Sequence, residues 1–441
     1  MTRNNTGPLP ATQLEQRQTA TETAATAARA IDAQAATIIG WILQGGVLVS
    51  AAIILIGVAW LFLQPGGPGT TSVARFPHTL PDLLAGLLQW QAPALIVLGL
   101  VVLIATPVLR VATSIVAFAL ERDARYVLIT LAVLLILLYS LFFGDRGTSS
   151  AHLSGLAHFQ FSALVFALIF CGSVVAGLLG SLIGLGGGVL IVPLLTLAFG
   201  LPISFAIGAS IISVIATSSG AAAAYVRDRI TNMRVGMFLE LATTTGAISG
   251  AFLAGLLAPG VLGIIFGIIL LLSALPTLFK IGEELPSGVQ NDWLAAHLNL
   301  ASSYPDEHLG REVSYQVTRT PLGLFLMFLA GVISGLLGIG SGAFKVLAMD
   351  VVMRLPLKVS TTTSNFMIGV TAAASAGIYF ARGDIPPLVA APVALGILLG
   401  ALIGSRLLSR LSNRVIRLVF LPVIVATAVE MILHGLGIGG I

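Results

Sequence analysis

Long stretches without any charged residue limit what this chain can fold into. Residues 147–226 contain no Asp, Glu, Lys or Arg over 80 positions, and residues 33–74, 241–279 and 321–344 are further runs of this kind. A helix needs about 20 apolar residues to cross a hydrocarbon core of about 30 Å. The chain is 9% charged, whereas soluble domains average about 25%. The sequence therefore predicts an all-α polytopic membrane protein, and it excludes an outer-membrane barrel, whose strands alternate over about ten residues.

Several functional classes lack support in the sequence. The basic residues behind the net charge of +4 are scattered, and no basic patch with interleaved aromatic residues points to nucleic acid as a partner. Cys171 is the single cysteine, which excludes a disulfide framework and a thiolate metal site. Since no nucleophile–base pair, nucleotide-binding loop or metal-ligand spacing is present, we predict neither enzymatic activity nor a cofactor.

The composition divides the chain into five parts. Residues 1–37 are polar and rich in Thr, Ala and Gln, which predicts a disordered cytoplasmic tail. Apolar runs separated by turn residues predict a membrane domain over 38–145, two repeats over 161–280 and 321–441, and a polar cytoplasmic loop over 281–320. The first of these domains should contain three helices, near 38–63, 92–118 and 126–143. Within the loop, Val313, Tyr315 and Val317 alternate with polar residues and indicate a short strand.

Residues 161–280 and 321–441 form an internal repeat with an offset of 154 residues. Gly184, Gly186 and Gly188 correspond to Gly338, Gly340 and Gly342, and Ser210 corresponds to Ser364. Because each copy has five elements, an odd number, the second copy should enter the membrane from the opposite side as an inverted repeat. The predicted elements lie near 161–182, 187–199, 203–226, 235–257 and 261–280 in the first copy and near 321–338, 341–353, 356–380, 387–410 and 414–436 in the second.

The distribution of basic residues predicts the orientation. With the N-terminus in the cytoplasm and thirteen crossing elements, only Arg75, Arg146 and Arg382 fall outside, and nearly all other Arg and Lys residues, Arg110 among them, fall inside. This is the asymmetry that the positive-inside rule describes. We therefore expect a multi-pass protein of a prokaryotic plasma (inner) membrane with an external C-terminus.

The second element of each copy is too short to cross the membrane as a helix. Residues 341–353 would give about 20 Å of helix against about 30 Å of hydrocarbon, so each short helix should begin inside the membrane after a glycine run. A helix start offers unpaired N–H groups and partial positive charge, and two starts from opposite faces predict an anion site near the midplane. The alternative is that the glycines serve close helix packing, which better explains those at 246, 250, 396, 400 and 404. The predicted backbone residues of the site are Gly186, Gly187, Gly188, Gly340, Ser341 and Gly342.

Lys345 is the one basic residue that this topology leaves inside the membrane. It lies nine positions before Arg354 at the inner interface, which places it about 13 Å above that interface. An intramembrane lysine is by default a functional residue, so we predict that it is the counterion of the anion. The alternatives are snorkelling or a structural ion pair with Asp350, Glu240 or Glu430. Ile191 occupies the equivalent position in the first copy, so the site should be asymmetric.

Polar residues on the third elements complete the candidate site. The hydroxyls and the amide of Ser210, Thr363, Ser364 and Asn365 could donate hydrogen bonds to an oxyanion. They could equally bond to their own helix or bridge two helices.

Two acidic residues, Glu240 and Glu430, lie within predicted spans. Membrane carboxylates can relay protons, so both are candidates for proton coupling.

The glycine motifs resemble a known family. Residues 184–193 (GLGGGVLIVP), followed by Gly200-Leu-Pro202, are similar to the signature of the sulfite exporter TauE/SafE family, also called toluene sulfonate uptake permeases, and residues 338–342 (GIGSG) to Leu355-Pro-Leu-Lys358 are similar again. The resemblance covers roughly 161–436 and implies a secondary carrier for sulfur-containing anions. Residues 38–145 look like a small membrane domain of unknown function that accompanies some of these transporters. Departures from the family pattern are Ser341, Lys345 and Leu347, where Gly, Val and Pro are commoner.

The residues and the resemblance together predict a secondary transporter, with export favoured, of sulfite, sulfoacetate, thiosulfate or organosulfonates by alternating access. The expected partners are the anion and the lipid bilayer, with a homo-oligomer left open. The alternatives are an anion channel and a non-transporting membrane sensor or assembly subunit.

Overall fold

The computed structural model describes residues 38, 40–64, 76–77, 80–143, 161–183, 187–227, 230–279, 288–306, 310–408 and 413–438. The predicted tail over 1–37 lies outside these residues. Within them, eight helices are long and apolar enough to cross a membrane. The fold is all-α apart from one hairpin, as the sequence predicts.

The first domain contains the three predicted helices and one that was not predicted. The predicted ones are α1 (Gly40–Leu63), α3 (Ala92–Leu120) and α4 (Ala124–Phe143). The unpredicted helix α2 (Leu80–Leu88) has nine residues. A helix of that length covers less than half of the bilayer core, so it lacks the long apolar run that predicts a membrane-spanning helix from sequence.

Each of the ten predicted elements of the repeats corresponds to a helix, with boundaries within three residues. Both second elements begin as a short α-helix and end in a π-helical turn, so the two copies share the same local backbone conformation here. The first copy consists of α5 (Ala163–Ile183), α6 (Gly188–Pro193) with a π turn (Leu194–Ala198), α7 (Ile203–Arg227), α8 (Met233–Leu256) and α9 (Pro259–Phe279). The second consists of α11 (Thr320–Leu337), α12 (Gly342–Leu347) with a π turn (Ala348–Val352), α13 (Leu357–Ala381), α14 (Pro387–Leu408) and α15 (Asn413–Gly435).

The two copies pack on each other reciprocally, the first helix of each against the fourth helix of the other. A Cβ on Gly331 of α11 would lie 2.3 Å from the carbonyl oxygen of Thr243 on α8, and a Cβ on Gly177 of α5 would lie 2.4 Å from that of Ile397 on α14. These two contacts are equivalent under the 154-residue offset. Backbone approach this close requires glycine, which confirms the packing interpretation for Gly246, Gly250, Gly396 and Gly400 as well.

The fifth helices, α9 and α15, run antiparallel to each other. A Cβ on Gly260 would lie 2.6 Å from the carbonyl oxygen of Gly435, and a Cβ on Gly267 would lie 2.5 Å from that of Ala428. Positions later in α9 therefore meet positions earlier in α15. If the twofold axis relating the two copies were parallel to the helices, equivalent helices would run parallel. An axis perpendicular to the helices makes them antiparallel, as α9 and α15 are.

The first domain packs directly on the middle of the repeats. Helices α3 and α4 contact α7, α8, α13 and α14. The Ser140 hydroxyl donates to the carbonyl oxygen of Ala374, and a Cβ on Gly377 would lie 2.6 Å from the carbonyl oxygen of Ser140. The α3–α4 pair therefore lies against α13, the most deeply buried of the candidate spans.

The polar segment between the repeats contains α10 (Trp293–His297) and an antiparallel hairpin of β1 (Ser302–Asp306) and β2 (Arg311–Tyr315). The predicted strand is thus confirmed at Val313 and Tyr315, while Val317 lies beyond its end. Asn232, at the start of α8, joins the segment to the helices: its Nδ2 donates to the Leu300 carbonyl oxygen at 3.0 Å and to the Tyr315 hydroxyl at 2.8 Å. Its Oδ1 accepts from the Val235 N–H at 3.0 Å and caps α8.

Replacing Asn232 tests this connection. We expect Asn232→Ala to lower stability by about 1–2 kcal/mol through the lost cap and to speed protease cleavage within residues 288–319. Asn232→Asp keeps the capping oxygen and loses the Nδ2 donors, so it should speed cleavage with less loss of stability. Limited proteolysis and thermal unfolding measure the two effects. Wild-type resistance to cleavage in Asn232→Asp would contradict the connection.

Candidate functional site

The second copy contains the predicted break in the membrane helix. Helix α11 ends at Leu337, and Gly338 follows with φ +68°, its N–H donating to the Ser334 carbonyl oxygen at 2.8 Å. Ser341 also has a positive φ, +48°, directly before α12. These backbone angles end one helix and start another, so the break is confirmed here. In the first copy, α5 ends at Ile183 and α6 begins at Gly188, with Gly184 and Gly186 outside the described residues.

Helix α12 begins near the middle of the membrane layer. The Thr318 N–H donates to the Met353 carbonyl oxygen at 3.2 Å, so the end of the short segment returns to the level at which α11 starts. Helix α11 has 18 residues and rises about 27 Å, whereas residues 342–352 descend about 16 Å. Gly342 therefore lies about half a bilayer core above the base of α11.

Ser210 connects the glycine turns of the two copies. Its Oγ lies 2.9 Å from the carbonyl oxygen of Gly188 and 2.8 Å from that of Gly338. Its equivalent, Ser364, donates to the carbonyl oxygen of Gly342 at 3.2 Å. Both serine hydroxyls are therefore engaged with backbone oxygens in this conformation.

Side chains pack tightly around the glycine turns. A Cβ on Gly187 would lie 2.2 Å from Ile397 Cδ1, and a Cβ on Gly340, whose φ is +71°, would lie 2.9 Å from Ile368 Cγ2. The buried Ser341 Oγ has no hydrogen-bond partner among the residues that the structure describes. The described residues of the turns are thus tightly packed in this conformation, and Ser341 retains a hydroxyl beside them without a partner among the same residues.

Thr363, Ser364 and Asn365 do not converge on one point. Thr363 Oγ1 accepts from the Asn232 N–H at 3.2 Å, whereas Asn365 Nδ2 donates to the Thr361 carbonyl oxygen at 3.1 Å. Successive helical residues differ by about 100° in direction, so of these three only Ser364 reaches the glycine turn.

Lys345 is fully buried on α12. Its Nζ donates to Thr371 Oγ1 on α13 at 2.7 Å, and it interacts electrostatically with Glu240. Complete burial is incompatible with snorkelling, because a snorkelling ammonium lies in water. None of the three acids proposed as a structural partner forms an ion pair with Lys345 among the described residues: its hydrogen bond goes to Thr371, Glu240 acts on it through charge alone, and Glu430 is exposed on α15.

Glu240 forms an ion pair that the sequence did not reveal. Its Oε1 accepts from Arg110 Nη2 on α3 at 3.0 Å, with both side chains fully buried, and the Arg110 guanidinium lies 4.0 Å from the centre of the Phe366 ring. The prediction that Arg110 lies on the cytoplasmic side was therefore wrong. Arg110 lies within an apolar 29-residue helix and is stabilised there by an acid on another helix. The signal was present: the predicted helix over 92–118 already enclosed Arg110.

Arg110, Glu240 and Lys345 form a charge cluster with two cations and one anion. Arg110 Nε and Nη1 and Glu240 Oε2 are buried without a hydrogen-bond partner among the described residues. Within the same residues, no group of three His, Cys, Asp or Glu side chains could hold a metal ion. An uncompensated buried positive charge is costly, so the cluster is chemically suited to an additional anion.

Comparison with known proteins identifies the chain. A family model described as "Sulfite exporter TauE/SafE" matches residues 168–431. The chain belongs to this family. Among curated proteins, this TauE/SafE family member is 29% identical over 210 residues (46% of this chain, 74% of the relative) to the "Probable membrane transporter protein YunE" of Bacillus subtilis. It is 25% identical over 234 residues (53% and 84%) to the "Probable membrane transporter protein YdhB" of the same organism.

The remaining membrane domain of this TauE/SafE protein also has relatives. Residues 39–142 match a family described as "Protein of unknown function (DUF1634)", in agreement with the domain expected over 38–145. No solved structure matches the chain. The chain is thus a membrane transporter of the TauE/SafE family with an additional domain N-terminal to the region that matches this family.

Proposed function

We propose that the protein is a secondary transporter of sulfur-containing anions, such as sulfite, thiosulfate, sulfoacetate or organosulfonates, across a prokaryotic plasma membrane, with export favoured. The observation that carries this proposal is Lys345, an ammonium fully buried on the short helix that starts in mid-membrane. Charge-assisted hydrogen bonds from an ammonium suit a small oxyanion. The family model adds sulfite as the substrate class in its name.

The packing of the repeats supports alternating access. The reciprocal contacts and the antiparallel fifth helices are those expected of an inverted repeat, in which one half rocks against the other around a central site. Lys345 is fully buried, and Gly340 and Gly187 are packed against Ile368 and Ile397, so we expect that an anion reaches Lys345 only after the surrounding helices move. A carrier needs such movement in every cycle, and this favours a carrier over a channel.

The distribution of charge supports a cytoplasmic N-terminus. Removing Arg110 from the inner side leaves the asymmetry of basic residues intact, since Arg75, Arg146 and Arg382 remain the only ones predicted outside. For proton coupling, Glu240 is better placed than Glu430, because it is fully buried and pairs with Arg110, whereas Glu430 is exposed.

Transport by a Lys345 variant tests the proposal. In proteoliposomes we expect saturable uptake of labelled sulfite or thiosulfate by the wild type, and at least a tenfold lower rate for Lys345→Gln, because the amide keeps hydrogen bonding to Thr371 and loses the charge. Lys358→Gln is the matched control, since Lys358 is exposed and pairs with Asp306 near the hairpin. Its rate should stay near that of the wild type.

Counterflow distinguishes the proposed carrier from the alternatives. A carrier preloaded with unlabelled anion should accumulate labelled anion transiently, whereas a channel should not. If the protein neither transports nor binds any of these anions, that result would contradict the proposal and favour a sensor or assembly subunit.

A further inference from the structure

Arg110 belongs to the domain of unknown function and yet lies inside the transport unit. It sits ten residues before the end of α3, is fully buried, and pairs with Glu240 of α8. Lys345 of α12 is joined to the same turn of α8 by two hydroxyls: its Nζ donates to Thr371 Oγ1 at 2.7 Å, this oxygen lies 3.3 Å from Thr243 Oγ1, and Thr243 Oγ1 donates to the Glu240 carbonyl oxygen at 3.3 Å. One buried cluster therefore contains side chains of both domains.

The hydrogen bonding of Arg110 is incomplete. One nitrogen, Nη2, donates to Glu240, and the face of the guanidinium lies on the Phe366 ring. Nε and Nη1 are buried without a partner among the described residues. Buried unpaired donors are costly, and a structural ion pair in a membrane protein has no need to leave two of them open.

We propose that Arg110 is a second anion-binding residue, so that the accompanying domain completes the substrate site together with Lys345. The ligand class is a small sulfur oxyanion or sulfonate, and this inference rests on the proposed function. Glu240 balances one of the two cations while the site is empty, and the anion neutralises the remaining positive charge. Guanidinium and ammonium groups together can bind several oxygen atoms of one oxyanion.

The competing explanation is that Arg110 and Glu240 only hold the two domains together. The double variant Arg110→Met/Glu240→Leu separates the two explanations. Replacing a buried ion pair by apolar side chains often leaves stability unchanged, and the net charge of the cluster remains one positive charge, from Lys345. A purely structural pair would therefore be replaceable without loss of anion binding.

The experiment measures binding of sulfite, thiosulfate and a small alkanesulfonate to the purified full-length protein, by the anion-dependent shift in melting temperature at constant ionic strength. We expect the wild type to bind at least one of them and the double variant to bind it at least tenfold more weakly. The matched control is Arg234→Gln, which removes ion pairs from α8 to Glu121 and Asp123 of the first domain and does not touch the cluster. Its affinity should equal that of the wild type.

The outcomes separate the two proposals. Equal binding by the wild type and the double variant would overturn the role of Arg110 and leave the proposed function intact. Absence of binding by the wild type to all three anions would overturn both. If the double variant does not fold, Arg110→Lys decides: it keeps the pair with Glu240 but has fewer fixed donors, so we expect weaker binding, and wild-type affinity would overturn the proposal.

Discussion

Replacing Glu240 with leucine should be among the most destabilising single substitutions in the protein. Glu240 pairs with Arg110 and is an acid whose charge also acts on Lys345, and all three side chains are fully buried. Removing one partner of a buried ion pair leaves an uncompensated charge and costs about 3–5 kcal/mol. We expect a large drop in melting temperature in detergent or nanodiscs.

Two further variants check the cause of that drop. Adding Arg110→Met to Glu240→Leu should recover most of the lost stability, since the cation left unpaired by the first substitution is then removed. Glu430→Gln is the control, because Glu430 is exposed on α15, and it should melt close to the wild type. A wild-type melting temperature for Glu240→Leu would contradict the buried pair.

Gly335→Ala should disrupt the packing of the two repeats. A Cβ at this position would lie 1.9 Å from the carbonyl oxygen of Ala247, a backbone atom that cannot move unless α11 separates from α8. Overpacking of this kind lowers stability by about 1–3 kcal/mol. Because the Cβ would meet backbone, we expect a loss at the upper end of this range. We expect lower yield of folded protein and a lower melting temperature.

A variant in the reciprocal interface and a control accompany this prediction. Gly400→Ala brings a Cβ within 2.1 Å of the carbonyl oxygen of Val174 in the reciprocal interface of α14 and α5, so it should show a comparable defect. A Cβ on Gly45 of α1 meets no atom within 4 Å, and Gly45→Ala should be tolerated. Equal stability of the Gly335 and Gly45 variants would contradict the backbone contact.

Some of the candidate site followed from residue spacing. The rise per residue of a helix is constant, so the offset of nine positions between Lys345 and Arg354 predicts that Lys345 lies inside the membrane, and the structure buries its side chain completely. The glycine turn before α12 was predictable for the same reason, because residues 341–353 are too few to cross the bilayer.

Side-chain direction was less predictable than depth. Thr363, Ser364 and Asn365 were grouped because they are adjacent in sequence, and the structure gives each a different partner. Residues that adjoin on a helix face different neighbours, and which neighbour each meets depends on how the surrounding helices pack.

The sequence by itself determined the helices of the repeats, the 154-residue register and the short helix that carries Lys345, since these depend on local apolar runs and on a constant helical rise. Only the tertiary structure decided that Arg110 pairs with Glu240, 130 residues away, and thereby joins the first domain to the candidate site. The physical reason is that apolar spacing shows that a helix enters the membrane but does not specify which helix it packs against. A buried charge finds its partner through that packing.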